Sequence, residues 1–157
     1  MSVKDWWPSR RIPERSVYER CDGAVVEMWN YKGRLHREDG PARIVTRPDG
    51  YRLEEWRIDD HRHRENGPAV IETRPDGSRY EAWWIDGHLH REDGPAVVET
   101  RTDRYRLEER WIDGLRHRED GPAFIETRPG KYRYEEWWVQ GRQVEADEEG
   151  NELGGAF

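Results

Sequence analysis

The sequence predicts an all-β protein of tandem β-hairpin repeats, five units of 27 residues laid side by side in an elongated, twisted antiparallel sheet. Three observations predict it. The string His-Arg-Glu-Asp/Asn-Gly-Pro-Ala occurs four times, with its glycines at Gly40, Gly67, Gly94 and Gly121, so the spacing is 27 each time. Within each period, short β-branched and aromatic stretches alternate with turn residues, a pattern of strands rather than helices. Large aromatics recur at fixed places in the frame: Trp29, Trp56, Trp83 and Trp137 form one column, with Arg110 replacing Trp in the fourth unit.

The frame divides the chain into an N-terminal segment (1–13), units at 14–40, 41–67, 68–94, 95–121 and 122–148, and a tail (149–157). The first unit is worn: Val17, Arg20, Asp22 and Gly23 match Ile44, Arg47, Asp49 and Gly50, and its strand is expected to form poorly. The fifth lacks the motif, with Val144 in place of His and Glu148 in place of Gly, as suits a terminal cap.

Within the third unit, Ala69-Val70-Ile71-Glu72-Thr73-Arg74 reads as the first strand and Pro75-Asp76-Gly77 as a three-residue hairpin loop with Gly in the left-handed position. Residues 79–85, aromatic at Tyr80, Trp83 and Trp84, read as one second strand, and Asp86-Gly87 makes the next turn. Pro95 opens the following strand, where a missing amide proton is tolerated. Two strands per unit give about ten strands at about 4.8 Å spacing, a sheet near 50 Å long. A propeller blade needs roughly 40 residues, so a 27-residue period argues against that architecture. Val17, Ile44, Ile71, Val98 and Ile125 form an apolar column in strand one, and Tyr31, Ile58, Ile85, Ile112 and Val139 another in strand two. Adjacent Trp columns point to opposite faces, and the sequence leaves open which face is buried.

Composition bounds the function. Charged residues make up 39% and hydrophobic ones 33%, so the nine Trp and seven Tyr must supply much of the buried area. A net charge of −7 from 34 acidic and 27 basic residues is a mosaic rather than one field, which opposes polyanion binding. All but Lys4, Lys32 and Lys131 of the basic residues are Arg, suited to carboxylate pairing and ring stacking. With Cys21 alone, no intrachain disulfide or Cys-based metal site is possible, and the expected compartment is reducing. The first residues carry no apolar signal region, and no stretch approaches the roughly 20 apolar residues of a membrane span, so a cytoplasmic protein without a membrane partner is expected.

The order Trp83, Gly87, His90, Gly94, with a short strand and a turn glycine at Gly77, resembles the MORN repeat, although the period is longer by about four residues around Arg91-Glu92-Asp93. The string Leu89-His90-Arg91-Glu92-Asp93-Gly94-Pro95-Ala96 looks like uncharacterised repeat proteins of bacteriophages, giant viruses and some bacteria. The similarity covers about 135 residues, five times 27. It implies a hairpin-repeat fold and a role in protein–protein scaffolding, self-association or membrane-proximal assembly, and it carries over no functional residue.

The column His36, His63, His90, His117 invites a metal or catalytic reading. Equivalent atoms two strands on lie about 10 Å apart, whereas ligands of one metal each sit near 2 Å from it, so no shared site results. His61/His63 and His88/His90 share a face, but only two units have the pair, and hydrogen bonding within a recurring turn is the simpler role. No nucleophile–base arrangement or phosphate loop recurs, so neither an enzyme nor a cofactor is expected. The Glu column (Glu27, Glu54, Glu81, Glu108, Glu135) beside Arg52, Arg79, Arg106 and Arg133 predicts cross-strand ion pairs. An acidic stripe mimicking nucleic acid is interrupted by these arginines. Binding of single-stranded nucleic acid through stacked Trp and Arg is opposed by net charge, and the arginines at 37, 64, 91 and 118 each precede a glutamate. The column Trp84, Trp111, Trp138 is the candidate for partner recognition, because Asn30 and Arg57 stand at the same place in units one and two and the repeat does not require Trp there. Arg57 is the fourth candidate contact. The competing role is packing of these rings on each other, on Trp6-Trp7 or on the tail. The function expected is therefore a non-catalytic protein-binding or scaffolding module, with pairing of end strands as a route to self-association. A phage-encoded factor that occludes a host enzyme or defence system is one alternative, and a nucleic-acid-binding or nucleic-acid-mimicking protein is another.

Overall fold

The computed structural model describes residues 11–145; the tail 149–157, most of segment 1–13, and Trp6 and Trp7 fall outside the described residues. Unit one contains β1 (Glu14–Glu19), β2 (Val25–Tyr31) and β3 (Arg34–Leu35), and unit two β4 (Arg43–Thr46), β5 (Arg52–Glu55), β6 (Arg57–Ile58) and β7 (His61–Arg62). Unit three contains β8 (Val70–Thr73), β9 (Arg79–Ala82), β10 (Trp84–Ile85) and β11 (His88–Leu89). Unit four repeats this with β12 (Val97–Thr100), β13 (Arg106–Glu109), β14 (Trp111–Ile112) and β15 (Leu115–Arg116), and unit five has β16 (Phe124–Arg128), β17 (Tyr132–Val139) and β18 (Arg142–Val144). There is no helix among the described residues, and so none long and apolar enough to cross a membrane. The long strands make one open antiparallel sheet in the order β1-β2-β4-β5-β8-β9-β12-β13-β16-β17-β18, with β3 attached to β2.

The hairpin loops follow the sequence closely. Around Pro75-Asp76-Gly77, Arg74 N–H donates to Ser78 O and Gly77 N–H to Arg74 O (2.9 Å each), and Gly77 sits at φ 86°. Unit one departs from expectation, since β1 and β2 pair over their full overlap from Glu14–Asn30 to Glu19–Val25. Asp22-Gly23 keeps the turn, with Gly23 at φ 76°, and Val17, Val25 and Val26 keep the strand composition.

The interior units carry four strands, not two. The stretch 79–85 breaks at Trp83, because its amide donates to Ala96 O of the next unit (2.8 Å) while its carbonyl accepts from His90 of its own (3.1 Å). Beyond that point the chain leaves the long sheet for a short ribbon, β10 with β11. Asp86-Gly87 closes the ribbon with both residues at positive φ (47° and 82°), the type I′ geometry that Asp-Gly favours. Neighbouring ribbons are bonded to each other: Arg64 N–H donates to Trp84 O (3.0 Å) and Gly87 N–H to Arg62 O (2.9 Å), and unit four repeats both from Arg91 and Gly114. Each unit is thus tied to the next by two rows of backbone bonds, one in the long sheet and one among the ribbons.

Directly paired residues share a face. Val70, Ala82 and Val97 lie opposite one another and form a buried cluster with Leu53, Tyr80, Leu89 and Leu107 packed against it. A second cluster, Ala24, Val26 and Val45, occupies the same face in units one and two. The column Ile44, Ile71, Val98 and Ile125 lies on the other face, alternating across the strands with Glu27, Glu54, Glu81, Glu108 and Glu135.

The ribbon turns also stack. A Cβ on Gly114 (φ 77°) would stand 3.1 Å from His88 Cδ2, whereas one on Gly33 (φ 78°) would meet nothing within 4 Å. Gly33→Ala should therefore cost only the left-handed backbone penalty, about 1 kcal/mol, and Gly114→Ala about 2 kcal/mol, because His88 must also move. Urea unfolding of the two variants measures the difference.

Candidate functional site

On the Val70 face, the column Arg57, Trp84, Trp111, Trp138 follows Glu55, Ala82, Glu109, Glu136 by two residues, and alternate strand residues point the same way. Each member reaches back along that spacing where an acceptor exists. Arg57 Nη2 donates to Glu55 Oε1 (2.9 Å), Trp111 Nε1 to Glu109 Oε2 (2.7 Å) and Trp138 Nε1 to Glu136 Oε2 (2.8 Å). Trp84 has Ala82 at that place, and its Nε1 is buried without an acceptor. All four are half-buried, and Trp84 and Trp111 pack against Val70, Ala82 and Val97.

The strand opposite completes the environment. Arg62, Leu89 and Arg116 pair with Arg57, Trp84 and Trp111, so Glu55 goes with Arg62, Ala82 with Leu89 and Glu109 with Arg116. The thin core under the ribbons is thus ionic, then apolar, then ionic along the array. Arg116 joins two of the candidate rings: its Cζ lies 5.2 Å from the Trp111 ring and 5.5 Å from that of Trp138, while its guanidinium donates to Glu109 (3.2 Å) and Glu136 (3.3 Å). Arg57 belongs instead to the cluster on Glu55, which is 3% exposed and receives Arg43 (2.8 Å), Arg57 (2.9 Å) and Arg62 (3.0 Å). Burial alone would raise the Glu55 carboxyl, but the three guanidiniums outweigh it and bring its pKa down to about 2. Glu55, Arg62 and Arg116 are not among the residues singled out from the sequence. The signal was present as an acid or alanine followed seven residues later by an arginine or leucine.

The Ile71 face carries the Trp29, Trp56, Trp83 column and the repeated motif. The Glu–Arg columns run along strands rather than across them: Arg79 pairs with Glu81 of its own strand (2.7 Å), and Arg52–Glu54, Arg106–Glu108 and Arg133–Glu135 repeat this. On that face the neighbouring strands offer Thr73, Thr100 and Thr127 to the arginines and isoleucine or valine beside them, so the carboxylate within reach is the one two residues along the same strand. Cross-strand pairing occurs in unit one, where Arg15 reaches Glu27 (2.6 Å).

The motif His-Arg-Glu-Asp-Gly-Pro-Ala is a latch. Arg91 lies with its Cζ 4.1 Å from the Trp83 ring, its Nε on Asp93 (2.8 Å) and its Nη1 on Pro95 O (3.3 Å), and a Cβ on Gly94 would stand 3.0 Å from Cζ. The guanidinium is therefore sandwiched between an indole and a glycine, and it pairs with the aspartate rather than the glutamate that follows it. Arg37 on Trp29 and Arg64 on Trp56 stack in the same way at 4.1 and 3.9 Å. In unit four Arg110 replaces the indole; burial, and then the Arg118 charge beside it, hold its pKa below the ordinary arginine value.

The histidines knit one unit to the next. His63 Nδ1 lies 2.9 Å from Asp86 Oδ1 and 3.2 Å from the Asp86 amide, and His90 repeats this with Asp113 at 2.8 and 3.2 Å. A proton on Nδ1 finds the carboxylate and a bare Nδ1 accepts the amide, so either tautomer is satisfied there. Among the described residues, no group of three or more His, Cys, Asp or Glu side chains converges as a metal site.

Between successive latch loops the Ile71 face opens into grooves. One of about 450 Å³ has Trp56 and Ile58 among its lining, between residues 37–40 and 63–66. The next, about 680 Å³, repeats it with Trp83 and Ile85 between 64–67 and 90–93. A third cavity, about 590 Å³, lies instead between the ribbons of units four and five and is lined by Ile112, Leu115, Val139 and Val144. Each of the first two has an apolar floor between walls that carry both arginine and carboxylate. Compared with known proteins, the chain matches no protein-family model and no curated protein.

Proposed function

We propose that this chain is a non-catalytic protein-binding module that takes an extended segment of a partner polypeptide along the grooves of its Ile71 face. The observation that carries the reading is the repetition of one groove, Trp and Ile below and Arg with Glu or Asp at the sides, at successive units. Two strands per step give a spacing of about 10 Å, close to the roughly 9 Å turn of three residues in an extended polyproline II segment, so consecutive grooves fit side chains three apart on one face of a peptide. The mixed-sign walls suit a polypeptide better than nucleic acid, and the MORN-like resemblance points the same way. The Trp84, Trp111, Trp138 column then serves to hold the Val70 face rather than to meet the partner.

Selection from a displayed library of unstructured peptides tests this. Recovered peptides should lose at least about tenfold in affinity to Ile58→Glu and Ile85→Glu, the equivalent of about 1.4 kcal/mol or more, with the fold retained by circular dichroism. Failure to recover any peptide, or affinity indifferent to both substitutions, would overturn the reading.

A further inference from the structure

We infer that the array continues between molecules, with β1 of one copy adding to the open edge of β17 of another, head to tail. Among the described residues, β1 pairs only with β2, and residues 132–136 of β17 pair only with β16. Every other long strand has a neighbour on both sides. Tyr132 and Tyr134 are each 44% exposed, and β1 is exposed throughout, with Val17 at 51% and Tyr18 at 47%.

These two edges are the two halves of a contact the molecule already makes four times. The first strand of a unit pairs with the second strand of the unit before it: Ile125 faces Glu108, Glu126 faces Leu107 and Thr127 faces Arg106, as Val98 faces Glu81 and Thr100 faces Arg79. Among the described residues, no unit precedes that of β1, a first strand, and none follows that of β17, a second strand. The same register places Val17 of a second copy opposite Glu135, Tyr18 opposite Tyr134 and Glu19 opposite Arg133.

Backbone direction agrees. Arg20 N–H bonds to Ala24 O in its own hairpin, so by alternation the amides of Val17 and Glu19 point outward. Ala123 N–H bonds to Glu136 O, so those of Arg133 and Glu135 point outward too. The side chains also agree. Thr46, Thr73, Thr100 and Thr127 stand opposite an arginine inside the array, whereas the corresponding residue of β1 is Glu19. The intermolecular pair Glu19–Arg133 is therefore an ion pair where the internal ones are not, and Tyr18–Tyr134 is an aromatic cross-strand pair. A contact between two different edges has no built-in stop, so assemblies grow past the dimer. The inference does not depend on what occupies the grooves.

Sedimentation velocity of the full chain should show mass rising with concentration beyond two copies. Glu19→Arg blocks one edge. Glu135→Pro removes an outward amide without touching the β16–β17 bonds and blocks the other, and Arg133→Glu does so by charge. Each variant alone should be monomeric, and Glu19→Arg mixed with Glu135→Pro should stop at a one-to-one dimer, because one good edge remains on each, whereas Glu19→Arg mixed with Arg133→Glu should grow, because the two reversed charges complement one another. The double variant Glu19→Arg/Arg133→Glu should recover growth. A monomeric wild-type chain up to about 1 mM overturns the inference. So does a single variant that still dimerises, which marks like-to-like pairing, or a double variant that stays monomeric.

Discussion

Replacing Trp111 with alanine should cost the protein about 3 kcal/mol, within the range for truncating a packed Trp after allowing for its partial exposure. The ring packs on the Val97 cluster, its Nε1 is bonded to Glu109 and Arg116 lies against its face. Removing it takes away apolar area and leaves Glu109 with one donor fewer. Trp84→Ala should cost less, because the Trp84 Nε1 is buried without an acceptor and its loss removes an unsatisfied group along with the packing. Urea titration of both variants measures the pair. Trp111→Ala indistinguishable from wild type in stability, but defective in capturing a partner, would return this column to the role of an exposed anchor.

The second large effect sits at Glu55. Glu55→Gln should cost about 2–3 kcal/mol at neutral pH, less than the full loss of a buried ion pair because Arg43 and Arg62 reach solvent. The same carboxylate ties stability to pH. Its pKa in the folded protein, about 2, lies below the ordinary glutamate value of 4.5, so its contribution is complete above that value. It is lost as pH falls through the window from about 4.5 to about 2. The gap in unfolding midpoint between wild type and Glu55→Gln at pH 7 should therefore narrow at pH 3, and a constant gap would refute the assignment.

Much of this was legible in the residues. A fixed period with β-branched strands and Pro-Asp-Gly and Asp-Gly turns specifies hairpins, because each turn type demands φ values that few residues supply, and Gly77, Asp86 and Gly87 adopt them. The break at Trp83 was not legible, since it arises from one residue sending its amide and carbonyl to different neighbours, and no side chain announces that. Nor was the sidedness of the sheet. Ile71 and Val70 are equally apolar, and only the placement of Trp84 and Leu89 over Val70 decides which face is lined with a core. The in-strand pairing of Arg79 with Glu81 was written in the two-residue spacing, but so was an equally reasonable reach to the next strand. The candidate contacts divide along the same boundary: Arg57, Trp84, Trp111 and Trp138 are held in place by Glu55, Ala82, Glu109 and Glu136, partners that a search for recognition residues passes over.

The two rows of backbone bonds make the molecule a ruler. The pairings that join unit two to unit three, Glu54 with Ile71 and Arg52 with Thr73, are matched in kind by those that join three to four, Glu81 with Val98 and Arg79 with Thr100. Excising residues 68–94 would bring Glu54 beside Val98 and Arg52 beside Thr100, pairings of the same kind as before, while removing the apolar Ala82–Leu89 step from the other face. Duplication or loss of a whole period in the gene therefore lengthens or shortens the protein in increments of about 10 Å, two strand spacings, without redesign of its fold.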